Sequence, residues 1–189
     1  RAAVVTYGAT LAILGALVAI GARHAFALER ELYWTRASGW TALGALLCSL
    51  CATPVGRVLG RVRPRAERAV APWRRALGVT AAATASLHAG LALSTYLGGS
   101  LDPIADYPWL RGGALALAIL WALWLTSYPR VVRALRVKLW KPLHRLAFVA
   151  ALLALQHVLL APMAPVGWVL GVFGAAAAVG LLRLVPRRP

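Results

Sequence analysis

Acidic residues are nearly missing from this chain of 189 residues: five Asp and Glu stand against 21 Lys and Arg, for a formal net charge of +16. None of the five lies well inside an apolar run, which excludes a proton- or cation-coupled transporter built on buried carboxylates. There is no Gly-rich phosphate loop, no Ser-His-Asp set and no zinc pattern, so a soluble-type enzyme site is excluded as well. Charged residues of either sign make up only 14% and hydrophobic residues 61%, where a soluble domain has about 25% and about 45–50%. The mean hydropathy of +0.72 excludes disorder, which needs low hydrophobicity together with high charge. Nucleic-acid binding is excluded because the basic residues lie between apolar runs of membrane length, not on a folded soluble face. The class that remains is a polytopic membrane protein with basic loops.

A hydrocarbon core of about 30 Å takes roughly 20 apolar residues to cross as a helix. Six segments qualify: Ala3 to Ala22, Ser38 to Thr53, Leu77 to Leu97, Gly112 to Ser127, Leu143 to Leu160 and Val166 to Val185. The expected fold is all-α, a single domain over residues 1–189 formed by a bundle of six transmembrane helices. Trp40, Trp109, Trp140 and Trp168 stand near the span ends, as interfacial anchors do. Pro54, Pro142 and Pro186 are expected to mark span ends. The first apolar run is too long for a signal-peptide core, and the chain is expected to begin after some missing residues.

Basic residues set the direction. Arg57, Arg61, Arg63, Arg65, Arg68, Arg74 and Arg75 follow span two, and Arg130, Arg133, Arg136, Lys138 and Lys141 follow span four. The tail carries Arg183, Arg187 and Arg188, whereas the opposite loops hold only Arg23, Arg30, Arg36 and Arg111, with Glu29, Glu31, Asp102 and Asp106. Both termini are therefore expected in the cytoplasm. The stretch Arg57 to Arg75 reads as a solvated loop held at anionic lipid headgroups.

Inside the spans the ionisable residues are histidines, and ionisable groups there are functional candidates by default. Matching the basic cytoplasmic ends of spans three and five, Trp73-Arg74-Arg75 and Trp140-Lys141-Pro142, puts His88 level with His157 in the outer half of the membrane. His144 falls about 20 Å below His157 along the helix, at the level of Arg74 and Arg75. Two level imidazoles on separate helices offer one axial nitrogen to each face of a haem iron, with the porphyrin filling the gap between helices three and five. Ala150, Ala154 and Ala161 near His157, and Ala81, Thr84 and Ala92 near His88, would leave room for it. On an ideal helix His144 and His157 stand about 140° apart, so a second haem on His144 is less secure than the first. Histidines that only tie helices together, in a cofactor-free transporter or assembly protein, are the alternative. Cys48 and Cys51 form C-x-x-C inside an apolar helix, with no further Cys and no His nearby, and read as small packing residues. His24, at the outer end of span one, reads as interfacial.

Four stretches carry a resemblance: Ser38-Gly39-Trp40-Thr41-Ala42-Leu43 running to Thr53-Pro54; Arg74-Arg75-Ala76-Leu77-Gly78 followed by Leu87-His88; Leu125-Thr126-Ser127; and Trp140-Lys141-Pro142-Leu143-His144-Arg145-Leu146 running to His157. In this order they resemble the ferric-reductase-like transmembrane family, and within it the haem-binding membrane subunits of bacterial periplasmic methionine sulfoxide reductase systems. The resemblance implies one or two b-type haems bound by His88, His144 and His157, and admits a flavin mononucleotide (FMN). Read from their charge and place at the cytoplasmic mouth, Arg74, Arg75, Lys141 and Arg145 would either hold haem propionates or the flavin phosphate or anchor at lipid headgroups. It further implies a multi-pass protein of the bacterial inner membrane that passes electrons from the quinone pool or a cytosolic flavin reductase to a periplasmic molybdenum-containing subunit. That subunit reduces methionine sulfoxide in oxidised envelope proteins. A ferric-reductase-like cytochrome with another redox partner is the alternative inside the family. A self-contained NADPH-driven reductase would continue into a flavin- and nicotinamide-binding domain, so the chain is expected to be an electron conduit, not a complete enzyme.

Overall fold

A computed structural model describes residues 27–62, 66–162 and 165–184, together with isolated helical positions at 8, 12, 13, 15 and 16. The first expected span and His24 thus lie almost wholly outside the described residues. Among those residues the regular structure is helical throughout. The helices are α1 (Ala27–Val62), α2 (Ala66–Thr95), α3 (Pro103–Asp106), α4 (Pro108–Leu125), α5 (Pro129–Leu143), α6 (Leu146–Leu160) and α7 (Val166–Leu181), the last followed by a 3₁₀ turn over Leu182–Leu184. Four stretches are long and apolar enough to cross a membrane: Arg30–Arg61, Pro72–Thr95, Pro108–Leu125 and Lys138–Leu160; Val166–Leu181 is apolar but shorter.

Burial follows from membrane physics. No water is present in the hydrocarbon core, so each backbone group must be satisfied within its own helix, and hydroxyls do best by bonding back to it. Thr35, Ser38, Thr41, Thr84, Ser86 and Thr95 all donate to the carbonyl four residues earlier, at 2.7 to 3.0 Å. Large apolar side chains such as Leu125, Leu152 and Trp168 are exposed, the pattern of a lipid-facing surface. The core lies where Leu43, Leu46 and Leu47 of α1 meet Ala81 and Ala82 of α2, Leu120 of α4, and Ala150 and Ala151 of α6. Small residues let these helices approach closely. At Gly112, buried on α4, an added Cβ would come 2.9 Å from Gln156 Oε1 and 3.3 Å from the Leu153 carbonyl of α6.

Three expectations change. The stretch Arg57 to Arg75 is not a loop: α1 continues to Val62 and α2 begins at Ala66. Pro54, fully buried, and Pro72 both lie inside helices. A proline inside a helix leaves one carbonyl without its N–H, and packed neighbours in a membrane bundle can re-satisfy it, so neither proline ends its helix. The basic connection after span four is likewise helical, as α5. Third, span five is interrupted. Pro142 cannot donate to the preceding turn, α5 ends at Leu143, and His144 and Arg145 form a turn before α6. His144 therefore caps α5, and the ideal-helix angle between it and His157 does not apply.

Outside the bundle, α2 closes with left-handed Gly98 (φ 57°) and Gly99 (φ 84°), a backbone region that glycine enters without steric cost. Their turn returns Leu97 N–H to the Ala92 carbonyl and Gly99 N–H to the Leu93 carbonyl. It leads through α3 into α4. Cys48 is exposed and Cys51 half-buried, its thiol 3.9 Å from the Ala176 carbonyl of α7; neither forms a disulfide among the described residues. The small-packing reading suits Cys51 and not Cys48.

Candidate functional site

His88 lies two turns before the end of α2 and crosses to α1. Its Nδ1 is 2.8 Å from the carbonyl oxygen of Thr35, a residue only 2% exposed. His157, near the end of α6, makes the same contact with α4, its Nδ1 2.8 Å from the carbonyl oxygen of Trp109. A carbonyl oxygen only accepts, so in each ring Nδ1–H is the donor, and in the neutral imidazole Nε2 then keeps its lone pair. This is the arrangement found around metal-ligating histidines, whose second nitrogen is held by a carbonyl or carboxylate.

Each imidazole also lies against a glycine one helical turn beyond its acceptor. A Cβ on Gly39 would come 2.9 Å from His88 Nδ1, and a Cβ on Gly113 would come 2.8 Å from His157 Nδ1. Both are closer than real Cβ contacts allow.

The two rings meet. Their centroids are 6.1 Å apart and their planes cross at 76°. Metal–imidazole bonds of about 2.0–2.1 Å, made through Nε2 to opposite faces of one ion, put ring centroids about 6.4 Å apart. The spacing of the pair would suit one metal ion held between the two rings. Among the described residues no group of three or more His, Cys, Asp or Glu could hold a metal ion by itself, so such an ion would need further ligands from a bound group. Trp109 adds an aromatic wall, its ring 5.5 Å from that of His157 and tilted by 33°.

His144 stands apart, with no hydrogen bond or ring contact to His88 or His157 among the described residues. Its ring packs edge-on against Trp140 at 4.1 Å, and Trp140 in turn donates its indole N–H to the Thr126 carbonyl at 3.1 Å. The positive charge of Arg74 acts on His144, which puts both at the same end of the bundle. Arg74 donates to Thr53 Oγ1 at 3.2 Å, while Arg75 and Arg145 are exposed. Ala81, Thr84 and Ala150, expected to leave space near the histidines, are fully buried. Ala81 and Ala150 belong to the helix-packing core.

Sequence reasoning missed Thr35, Trp109, Gly39 and Gly113 as parts of this site. Two act through a backbone carbonyl and two through the lack of a side chain, and neither contribution leaves a mark in residue chemistry. Trp109 reads from sequence as an interfacial anchor. The one usable signal was a glycine four residues after each acceptor, on α1 for His88 and on α4 for His157.

Fold and site together define a multi-pass helical membrane protein in which two imidazoles from different helices form a pair. The chain belongs to the family of the ferric reductase like transmembrane component, whose model matches residues 38–155 and so ends two residues before His157. Among curated proteins it is similar to the protein-methionine-sulfoxide reductase heme-binding subunit MsrQ of Deinococcus radiodurans, 36% identical over 126 residues, 65% of this chain and 59% of that one. It is also similar to the MsrQ of Ralstonia nicotianae, 31% identical over 151 residues, 75% of this chain and 64% of the relative. With the MsrQ of Rhodospirillum rubrum it is 33% identical over 168 residues, 82% of this chain and 75% of the relative. The chain thus spans somewhat more than half the length of the first of these relatives. No solved structure matches it.

Proposed function

We propose that the chain is the haem-binding membrane subunit of a protein-methionine-sulfoxide reductase system. It would pass electrons from the quinone pool or a cytosolic flavin reductase to a periplasmic, molybdenum-containing catalytic subunit. The observation that carries this reading is the imidazole pair: two rings from α2 and α6, 6.1 Å apart, each with Nδ1–H tied to a carbonyl. The MsrQ relatives, described as heme-binding subunits, support it independently.

A b-type haem, when bound, supplies a one-electron carrier in the outer half of the membrane. His88 and His157 would hold its iron through Nε2. The carbonyls of Thr35 and Trp109 hold each ring in the tautomer that keeps Nε2 unprotonated, and hydrogen bonding at Nδ1 raises the basicity of the ligand. The Trp109 ring lies against one side of His157. At the other end, His144 with Trp140 forms the candidate for a second haem or another cofactor. Arg74, Arg75, Lys141 and Arg145 there match in charge the propionates of a haem, the phosphate of FMN and anionic lipid headgroups alike. The asymmetry of basic residues supports a six-span topology in the inner membrane with both termini in the cytoplasm.

The test is optical. Protein purified from cells with adequate haem supply is expected to show a sharp Soret band and split visible bands on reduction, with a haem-to-protein ratio of at least one. A colourless preparation would favour the cofactor-free alternative. Extraction and mass measurement of bound flavin settle FMN, and co-purification with a periplasmic molybdoenzyme settles the partner.

A further inference from the structure

The two histidines are held by one device used twice. On α1 the acceptor is the Thr35 carbonyl and the open patch is Gly39; on α4 they are the Trp109 carbonyl and Gly113. The spacing of four residues has a physical meaning. In an α-helix the carbonyl of residue i accepts the N–H of residue i+4, so the acceptor carbonyl points along the axis at the glycine itself. A carbonyl oxygen has two lone pairs, and the helical N–H uses only one; at Thr35 the Ser38 hydroxyl also lies 3.1 Å from the oxygen, but its shorter bond, 2.7 Å, goes to the Trp34 carbonyl. Each histidine ring takes the second by lying over the glycine at residue i+4, where a Cβ would stand in its way. A methyl at Gly39 would come 2.9 Å from His88 Nδ1 and 3.0 Å from Cε1; at Gly113 the corresponding separations to His157 are 2.8 and 3.0 Å. By contrast, a Cβ at Gly44 or Gly90 would meet nothing within 4 Å.

We infer that Gly39 and Gly113 are positioning residues: each leaves an imidazole-shaped seat on its helix, so that a main-chain carbonyl captures Nδ1–H and the ring presents an unprotonated Nε2 to the space between the histidines. That Nε2 then binds iron rests on the proposed function above; the seat and the tautomer do not. Either ring could escape an added methyl by swinging away, but that movement gives up the 2.8 Å contact and with it the orientation of Nε2.

The experiment uses the full chain in detergent, compared with Gly39→Ala, Gly113→Ala and the controls Gly44→Ala and Gly90→Ala. Two readouts are taken. Nitrogen-15 NMR of histidine-labelled, haem-free protein reports the tautomer of each ring, assigned with His88→Gln and His157→Gln. Low-temperature electron paramagnetic resonance of the haem-loaded ferric protein reports axial ligation. Wild type is expected to show Nδ1–H tautomers at His88 and His157. Gly39→Ala should convert His88 alone and Gly113→Ala His157 alone, each with about 10–100-fold weaker haem retention and a low-spin signal shifted or turned high-spin. Both controls should match wild type, which separates a seat from a general packing defect. If the alanine variants keep both the Nδ1–H tautomers and the wild-type low-spin signal, or if wild type carries its protons on Nε2, the inference is overturned. Should wild type take up no haem while the tautomers respond as described, the seat stands and the proposed function fails. Normal haem uptake with tautomers indifferent to the methyl groups would mean the reverse: haem binding stands and the seat is refuted.

Discussion

Removing His157 and supplying imidazole from solution tests the pair directly. His157→Ala deletes the ring but leaves its surroundings: the Trp109 carbonyl, the open face of Gly113 and the Trp109 ring 5.5 Å away. Free imidazole entering the vacancy regains one neutral hydrogen bond, a net of about 0.5–1.5 kcal/mol. It also regains an aromatic contact of about 0.5–1.5 kcal/mol. Those gains alone give binding weaker than millimolar, since a Kd of about 1 mM needs about 4 kcal/mol. A bond from Nε2 to iron must supply the remainder, so half-restoration of the low-spin spectrum is expected at about 1–10 mM imidazole. His157 is half-buried, so the vacancy is reachable. The assay is an optical titration of His157→Ala reconstituted with haem, repeated on the Gly113→Ala, His157→Ala double variant, in which the methyl occupies the seat and rescue should weaken at least about tenfold. Full low-spin character in His157→Ala without added imidazole, or no response up to about 100 mM, would refute the pairing of His157 with His88.

His88→Ala should abolish the same haem signal as His157→Ala, whereas His144→Ala should retain it and lose at most a second haem, as measured by the haem-to-protein ratio. Ala81→Leu places a larger side chain at a fully buried contact of α2. It should destabilise the bundle by about 1–3 kcal/mol in detergent unfolding. Leu152→Ala, at a position 65% exposed, should change stability by less than about 0.5 kcal/mol in the same assay. In a Cys48→Ser, Cys51→Ser background, a cysteine introduced at Ser100 should react with a membrane-impermeant thiol reagent added outside spheroplasts, and one introduced at Arg133 should react only after lysis. The reverse pattern would invert the topology.

Much of this molecule was legible before any coordinates. Apolar runs of membrane length identify helices because a bilayer leaves the backbone few other options, and among the described residues no strand intervenes. His88 and His157 could be matched in height because the apolar runs that carry them each follow a Trp beside basic residues, Trp73-Arg74-Arg75 and Trp140-Lys141, and helical rise converts residue number into depth. Helix ends were less legible. Pro54 looks like a terminator by local chemistry, yet α1 continues through it, packed against α2. At Pro142 the same residue type does coincide with a break, which moves His144 off α6. Local propensity cannot separate these cases, because the difference lies in neighbours distant in sequence. The Thr35 and Trp109 carbonyls were illegible for a different reason: every residue has a carbonyl, and only the fold decides which one an imidazole meets.

The scarcity of acids and the design of the histidine pair are connected. Metal-ligating histidines are often oriented by a carboxylate, but a carboxylate at the centre of a membrane helix costs about 2.5–3.5 kcal/mol on insertion scales. A main-chain carbonyl with a spare lone pair does the same orienting work without adding charge. Its requirement is steric, the absence of one Cβ at the next turn, met here by Gly39 and Gly113. This choice has an electrostatic consequence. With neutral acceptors on both rings the protein places no anion on the pair through these contacts, and the charged residues at the His144 end of the bundle, Arg74, Arg75, Lys141 and Arg145, are cations. Replacing Gly39 by Asp would reverse both features at once, blocking the seat and bringing a negative charge close to His88. That variant should lose haem binding more completely than Gly39→Ala, measured as haem per protein in the same detergent. Equal loss in the two would mean that shape alone matters at this position.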